Sequence, residues 1–250
     1  TQSQSNQGNS PMNMLRYFLL LTLGVLPIWT VGCSTSTSPS STNDVEAPPA
    51  QTAETAEPRA EYTVTFDATW SAAMHPEDFP GNPHFSGLIG ATHNDDVRFW
   101  APGRRASEGI KAMAERGSKT PLDEEIRAAK ADGTADKLLS GDGIARSPAS
   151  VSLDFVIRRD HPLVTLVSMV APSPDWFAGV SALSLLEEEQ WVDELTVELF
   201  AYDAGTDSGT TYNSADRPTS PRERIQQIEG RPLAVGGQVA PVGTFTFTRR

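Results

Sequence analysis

Beyond Glu61 the chain carries five runs of β-forming residues, and these constrain its fold more than any other feature of the sequence. Tyr62–Phe66 (YTVTF), Val151–Ile157 (VSLDFVI) and Thr244–Thr248 (TFTFT) alternate between apolar and polar positions. A period of two fits a strand with one face on a core and the other in solvent. Leu163–Val170 (LVTLVSMV) is almost wholly apolar and reads as a central strand. Trp191–Tyr202 (WVDELTVELFAY) puts Leu195, Val197 and Leu199 on one face, with Thr196 and Glu198 on the other. Joined by loops rich in Gly, Pro and Asp, these runs predict a mainly β domain over residues 61–250, built as an antiparallel β-sandwich.

A long insertion is expected to add two short helices. Ser107 is a candidate N-cap, Ile110, Met113 and Ala114 recur at helical spacing, and Gly117 supplies a stop. Pro121–Ala131 opens on Pro and places acids in its first turn, which suits the helix dipole. Residues 133–143, bounded by Gly133 and Gly143, read as a loop.

The first sixty residues have a different character. Met12 and Met14 are the candidate initiators, and Arg16 precedes the apolar run Tyr17–Trp29. That run is shorter than the roughly 20 apolar residues of a membrane helix and reads as a secretory signal. Val31-Gly32-Cys33 resembles the end of a bacterial lipobox, with Thr30 where Leu is usual. The resemblance implies cleavage before Cys33, lipidation of its thiol, and export to the cell envelope. Ser34 is permissive for the outer membrane, on its surface or periplasmic side. The competing reading is an ordinary signal peptide cut near Gly32. Ser34–Ala60 is Ser, Thr, Pro and Ala without an aromatic residue, too polar to fold alone, and reads as a tether. The expected organisation is therefore 1–33 upstream residues and signal, 34–60 tether, 61–250 folded domain.

Composition removes several functions. With 32 acidic against 20 basic residues and a net charge of −12, the chain lacks the cationic surface that a nucleic-acid partner requires. One Cys allows neither a disulfide framework nor a Cys-based zinc site. Ser86, Ser107 and Ser168 lack a nucleophile-elbow context, and no phosphate-binding or dinucleotide fingerprint occurs. The chain is thus expected not to be an enzyme. The alternatives kept open are a secreted or periplasmic glycan-acting enzyme using acidic loop residues, and a structural envelope protein. His75, His84 and His93 are evenly spaced, but Pro76, Pro80 and Pro83 break the intervening chain and no Cys or carboxylate stands at zinc-ligand spacing. They read as structural.

The acidic loops are the remaining candidates. Asp175 follows Pro172-Ser173-Pro174, and Asp203 and Asp207 flank Gly205. From spacing alone, Asp203 and Asp207 read as turn-forming residues and Asp175 as solvated. Several segments add a resemblance: YTVTFDATW (62–70), HPEDFP (75–80), HFSGLIGATH (84–93), ASEGI (106–110), HPLVTLVSMVAPSPDWFA (161–178), YDAGTDSG (202–209) and GTFTF (243–247). Together they resemble the spondin domain family. The resemblance implies a C2-like sandwich with a Ca²⁺ site and an adhesive role toward an unidentified extracellular protein or glycan. It assigns the metal to Asp175, Asp203 and Asp207, oxygen donors of the kind Ca²⁺ prefers. Asp207→Ala is then expected to weaken calcium binding and leave calcium-free melting unchanged or slightly raised. Trp176-Phe177 abuts Asp175 and is a candidate contact surface, against the reading in which both rings pack under the loop. Animal members carry a Cys in the stretch matching Ser181–Leu186, which has none here, so the disulfide of those members is missing.

Overall fold

The computed structural model describes residues 57–250. Its elements are β1 (Arg59–Ala68), β2 (His84–Phe85), β3 (Ile89–His93), α1 (Glu108–Arg116), α2 (Leu122–Ala131), β4 (Ala135–Ser140), β5 (Ala149–Arg158), β6 (Leu163–Ala171), β7 (Trp176–Ser184), β8 (Leu186–Glu187), β9 (Gln190–Trp191), β10 (Glu194–Leu199), β11 (Ala201–Asp203), β12 (Gln226–Gln227), β13 (Ala234–Val235), β14 (Gln238–Val239) and β15 (Gly243–Arg249). One sheet has the order β10-β15-β1-β5. The larger sheet runs β12-β11-β7-β6-β3-β4, with β2 also on β6, and β13-β14 and β8-β9 form two small ribbons. Every pairing is antiparallel, as expected for the sandwich.

The alternation in β1 is the clearest cause of the first sheet. Ala60, Tyr62, Val64, Phe66 and Ala68 are all buried, whereas the residues between them are not. Phe66 pairs with Phe245 across the ladder, and their rings meet edge to face at 5.2 Å. Burying a side chain of this size contributes about 1.5–3 kcal/mol. The strand starts at Arg59, so the expected domain start at residue 61 falls inside it; Trp191 Nε1 also donates to the Glu57 carbonyl at 2.8 Å.

β6 is central, as its apolar run predicts, because both its faces are covered. Val164, Leu166 and Val170 join the core between the sheets. Val167 and Met169 join a second core with Ile110, Met113, Leu122 and Ile126 of the helices. The helices therefore form a third layer on the larger sheet. Ser107 caps α1 by accepting from the Ile110 N–H at 3.1 Å, and Gly117 ends it at φ 64°. Glu125 of α2 clamps the same terminus, accepting from Ser107 Oγ and the Gly109 N–H, each at 2.7 Å.

Two expectations are corrected. Residues 133–143 are not all loop: Ala135–Ser140 is the edge strand β4, paired with β3. Its polar residues sit on an edge strand whose burial pattern is irregular, which hides the period of two. Trp191–Tyr202 is not one strand either. The chain leaves β10 after Leu199 and enters β11 at Ala201, passing from the smaller sheet to the larger. No helix among the described residues is long and apolar enough to cross a membrane. The expected signal, Cys33 and the tether to residue 56 lie outside the described residues.

Candidate metal centre

Two loops at one end of the larger sheet carry the three acids. Pro172–Pro174 turns the chain out of β6, and Ser173 Oγ fixes the turn by accepting from the Trp176 N–H at 3.0 Å. Asp175 is thereby completely buried rather than solvated. Its Oδ2 accepts from the Thr206 N–H at 2.7 Å, Thr206 Oγ1 at 3.1 Å and the Asp207 N–H at 3.0 Å. Its Oδ1 is buried and accepts no hydrogen bond. An unmatched acceptor of this kind costs about 1–3 kcal/mol, more when charged.

The other two acids hold their own loop. Asp203 Oδ1 accepts from the Gly205 N–H at 2.7 Å, and Asp207 Oδ1 from the Gly209 N–H at 2.8 Å. Both are the two-residue turns that their spacing suggests. Asp207 Oδ2 also accepts from the Arg217 N–H at 2.5 Å, tying the loop to the segment that returns past it. Gly205 sits at φ 72°, where a Cβ would come within 2.6 Å of the Glu223 backbone. Only glycine satisfies both demands.

Electrostatics mark the site more clearly than geometry. Burial pushes Asp203 up to about 6, helped by the charges of Asp175, Glu223 and Asp207 and opposed by the Gly205 N–H. Burial also raises Asp175, against the hydrogen bonds from Thr206 and Asp207. Among the described residues, the charges that raise these two groups are those of Asp175, Asp207 and Glu223. Among the described residues, though, no group of three or more His, Cys, Asp or Glu side chains is arranged to hold a metal ion. The three acids are neighbours that repel one another and not a finished cage. Asp207 also faces a small pocket of about 110 Å³ lined by Glu115, Arg116, Pro174, Asp216 and Pro218.

Thr206, Arg217 and Glu223 escaped the sequence reading. Thr206 lies inside the YDAGTDSG run, and its hydroxyl was the one readable signal. The other two enter through a backbone N–H and a distant charge. The candidate contact surface is corrected: Trp176 is 2% exposed and Phe177 fully buried. They begin β7, which is covered on both faces. Trp176 packs into the core between the sheets, and Phe177 joins the helix-side core against Trp100 at 4.9 Å. The three histidines bind separate partners. His75 Nε2 meets the Ala240 carbonyl, His84 Nδ1 the Asn82 carbonyl, and His93 the Asn94 carbonyl and Thr165 Oγ1.

Two antiparallel sheets with a helical layer on one of them, and acidic loops after β6 and β11, define a β-sandwich module of the kind the motifs imply. The Spondin_N family model matches residues 60–234, and the chain belongs to that family. It is 38% identical to Spondin-1 of Gallus gallus over 175 residues, which is 68% of this chain and 22% of that protein. It is 34% identical to Spondin-2 of Homo sapiens over 173 residues, 68% of this chain and 52% of that protein. Spondin-1 of Xenopus laevis is 33% identical over 202 residues, 76% of this chain and 25% of the relative. The chain thus spans about a quarter to a half of the length of these relatives.

Proposed function

We propose that this chain is an exported, calcium-binding recognition module, held to a membrane through Cys33 and acting by adhesion rather than catalysis. The observation that carries the calcium reading is Asp175, a fully buried carboxylate with one oxygen unmatched and the charge of Asp207 beside it. Asp175, Asp203 and Asp207 would hold the ion. Bound Ca²⁺ would supply the positive charge that this cluster lacks, through the oxygen ligands it prefers. Asp203 and Asp207 give their oxygens to their own loop in the meantime, so the ion orders the loop end. The adhesive reading rests on family membership and on the absence of any catalytic motif from the sequence. Titration calorimetry of the full chain with Ca²⁺ tests the metal. A one-to-one heat, lost in Asp175→Asn, is expected, together with a calcium-dependent rise in melting temperature. Neither heat nor a melting shift in the wild type would end the calcium reading. Cys33→Ser should release the chain from membranes and abolish fatty-acid labelling; equal labelling of both forms would end the anchoring reading.

A further inference from the structure

One of the four histidines has partners that only a charged ring can satisfy. His161 stands in the turn between β5 and β6. Its Nδ1 lies 3.0 Å from Asp160 Oδ1, and its Nε2 lies 3.0 Å from the Gly133 carbonyl oxygen. An ionised carboxylate and a carbonyl only accept, so both ring nitrogens must carry a proton, and that species is the imidazolium. A neutral ring would turn a lone pair on one of the two oxygens. The other three histidines fit the neutral form. His75 meets one carbonyl through Nε2 and leaves Nδ1 without a partner. His84 meets one carbonyl, and His93 combines a carbonyl with the Thr165 hydroxyl, which can donate.

The charges around His161 come from its own turn and from β3, β4 and β5. Asp160 is held well below the usual carboxylate range, first by the two Arg158 hydrogen bonds at 2.9 Å and then by His161. From β4, Asp136 acts on both His161 and Arg158. Its Oδ2 is buried without a hydrogen-bond partner, and Lys137 Nζ is 3.7 Å from its Oδ1. From β3, His93 is the neighbour of like sign, and burial lowers it. Burial opposes a charge on His161 too. The hydrogen bonds to Asp160 and Gly133 and the charges of Asp160 and Asp136 outweigh that cost and raise the group above its ordinary 6.5. Position gives the charge its task. β4 ends the larger sheet and β5 ends the smaller one, and among the described residues no ladder joins them. Gly133 precedes β4 and His161 follows β5, so their contact spans the side on which the sandwich is open. Between the two edge strands lies a cleft of about 450 Å³, with Leu138 and Leu139 on one wall and Leu153 and Phe155 on the other. We propose that His161 is a proton-operated latch on this open side: as imidazolium it ties the α2–β4 turn to the β5–β6 turn, and on losing its proton it releases β4 and widens the cleft. A folded-state value above 6.5 means that the latch is closed below 6.5 and opens as pH rises through the raised value.

Magnetic-resonance titration of the imidazole signals in the full chain with chelator, from about pH 5 to about pH 9, reads the latch directly. The signal missing from His161→Gln identifies the residue. Its expected midpoint lies above 6.5. Asp160→Asn should lower that midpoint by about one unit or more, because a neighbouring negative charge is gone. Amide hydrogen exchange, corrected for the chemical rate at each pH, reads the mechanical consequence. The Thr134 N–H donates to the Ala129 carbonyl, and the Lys137 N–H to the Thr92 hydroxyl. Both should lose protection severalfold as pH rises through the midpoint in the wild type, and show no such loss in His161→Gln. A midpoint at or below 6.5, a midpoint that Asp160→Asn leaves in place, or a loss of protection that persists in His161→Gln overturns the proposal. Chelator keeps the metal out, and Asp203 is common to wild type and variants, so the outcome is independent of the calcium reading.

Discussion

Asp203→Asn isolates the electrostatic cost of the acidic cluster. Asparagine keeps an oxygen for the Gly205 N–H and removes the charge. The folded chain raises this carboxyl from its ordinary 3.8 to about 6, chiefly by burial. The folded state therefore holds a proton that the unfolded chain has released, and stability falls as pH rises from about 3.8 to about 6. The shift corresponds to about 3 kcal/mol at neutral pH. In calcium-free buffer at pH 7, Asp203→Asn should then exceed the wild type by about 3 kcal/mol. For a chain of this size that is roughly 6–12 °C in melting temperature. The two should converge near pH 4. Taking the difference between variant and wild type removes the titration of His75 and His93, which burial lowers in both. Calcium should close most of that gap. At about 100 times its Kd the ion stabilises the wild type by about 2.7 kcal/mol, and the variant by less. Urea unfolding at pH 4 to 8, with chelator and with calcium, measures all of this. Equal stabilities at pH 7 without calcium, or a difference that ignores pH, would refute the account of a repelling, buried cluster.

Three further outcomes follow from geometry. Asp207→Ala should weaken calcium binding and also lower calcium-free stability by about 1–3 kcal/mol, because the Gly209 and Arg217 N–H groups lose their acceptor; calorimetry and chelated melts check both, and this replaces the expectation of an unchanged melting point. Ser107→Ala should cost about 1 kcal/mol in urea unfolding through loss of the α1 cap. Gly90→Ala should yield no soluble folded chain, since a Cβ there would sit 1.9 Å from the Thr165 carbonyl oxygen in the adjacent strand; a normal melting curve would contradict it.

The strands that bury one face announced themselves, because alternation in β1, β5 and β15 is a direct print of the pleat. The central strand β6 was legible through its continuous apolar run. What stayed hidden was context supplied by distant chain. β4 is a polar edge strand recognised only by its pairing with β3. The break at Phe200 depends on two sheets meeting there. Trp176 and Phe177 were a candidate surface because they abut Asp175 at a loop end, but one faces the core between the sheets and the other the helical layer. The turn roles of Asp203 and Asp207 were readable from spacing. The complete burial of Asp175 was not, since it is made by Thr206 and its neighbours folding over from another loop.

β1 has a mechanical consequence. The preceding chain enters at Arg59, and the strand runs between β15 and β5 to Ala68, just before Trp70 and the Tyr212 loop it touches. A load pulled through the entering chain and resisted at those loops runs along the strand axis. Its ladder pairs, Tyr62 to Ala68 with β15 and Arg59 to Ala68 with β5, are then strained together in shear instead of opening one after another like a zip. A strand loaded in this way resists with all of its ladder pairs at once.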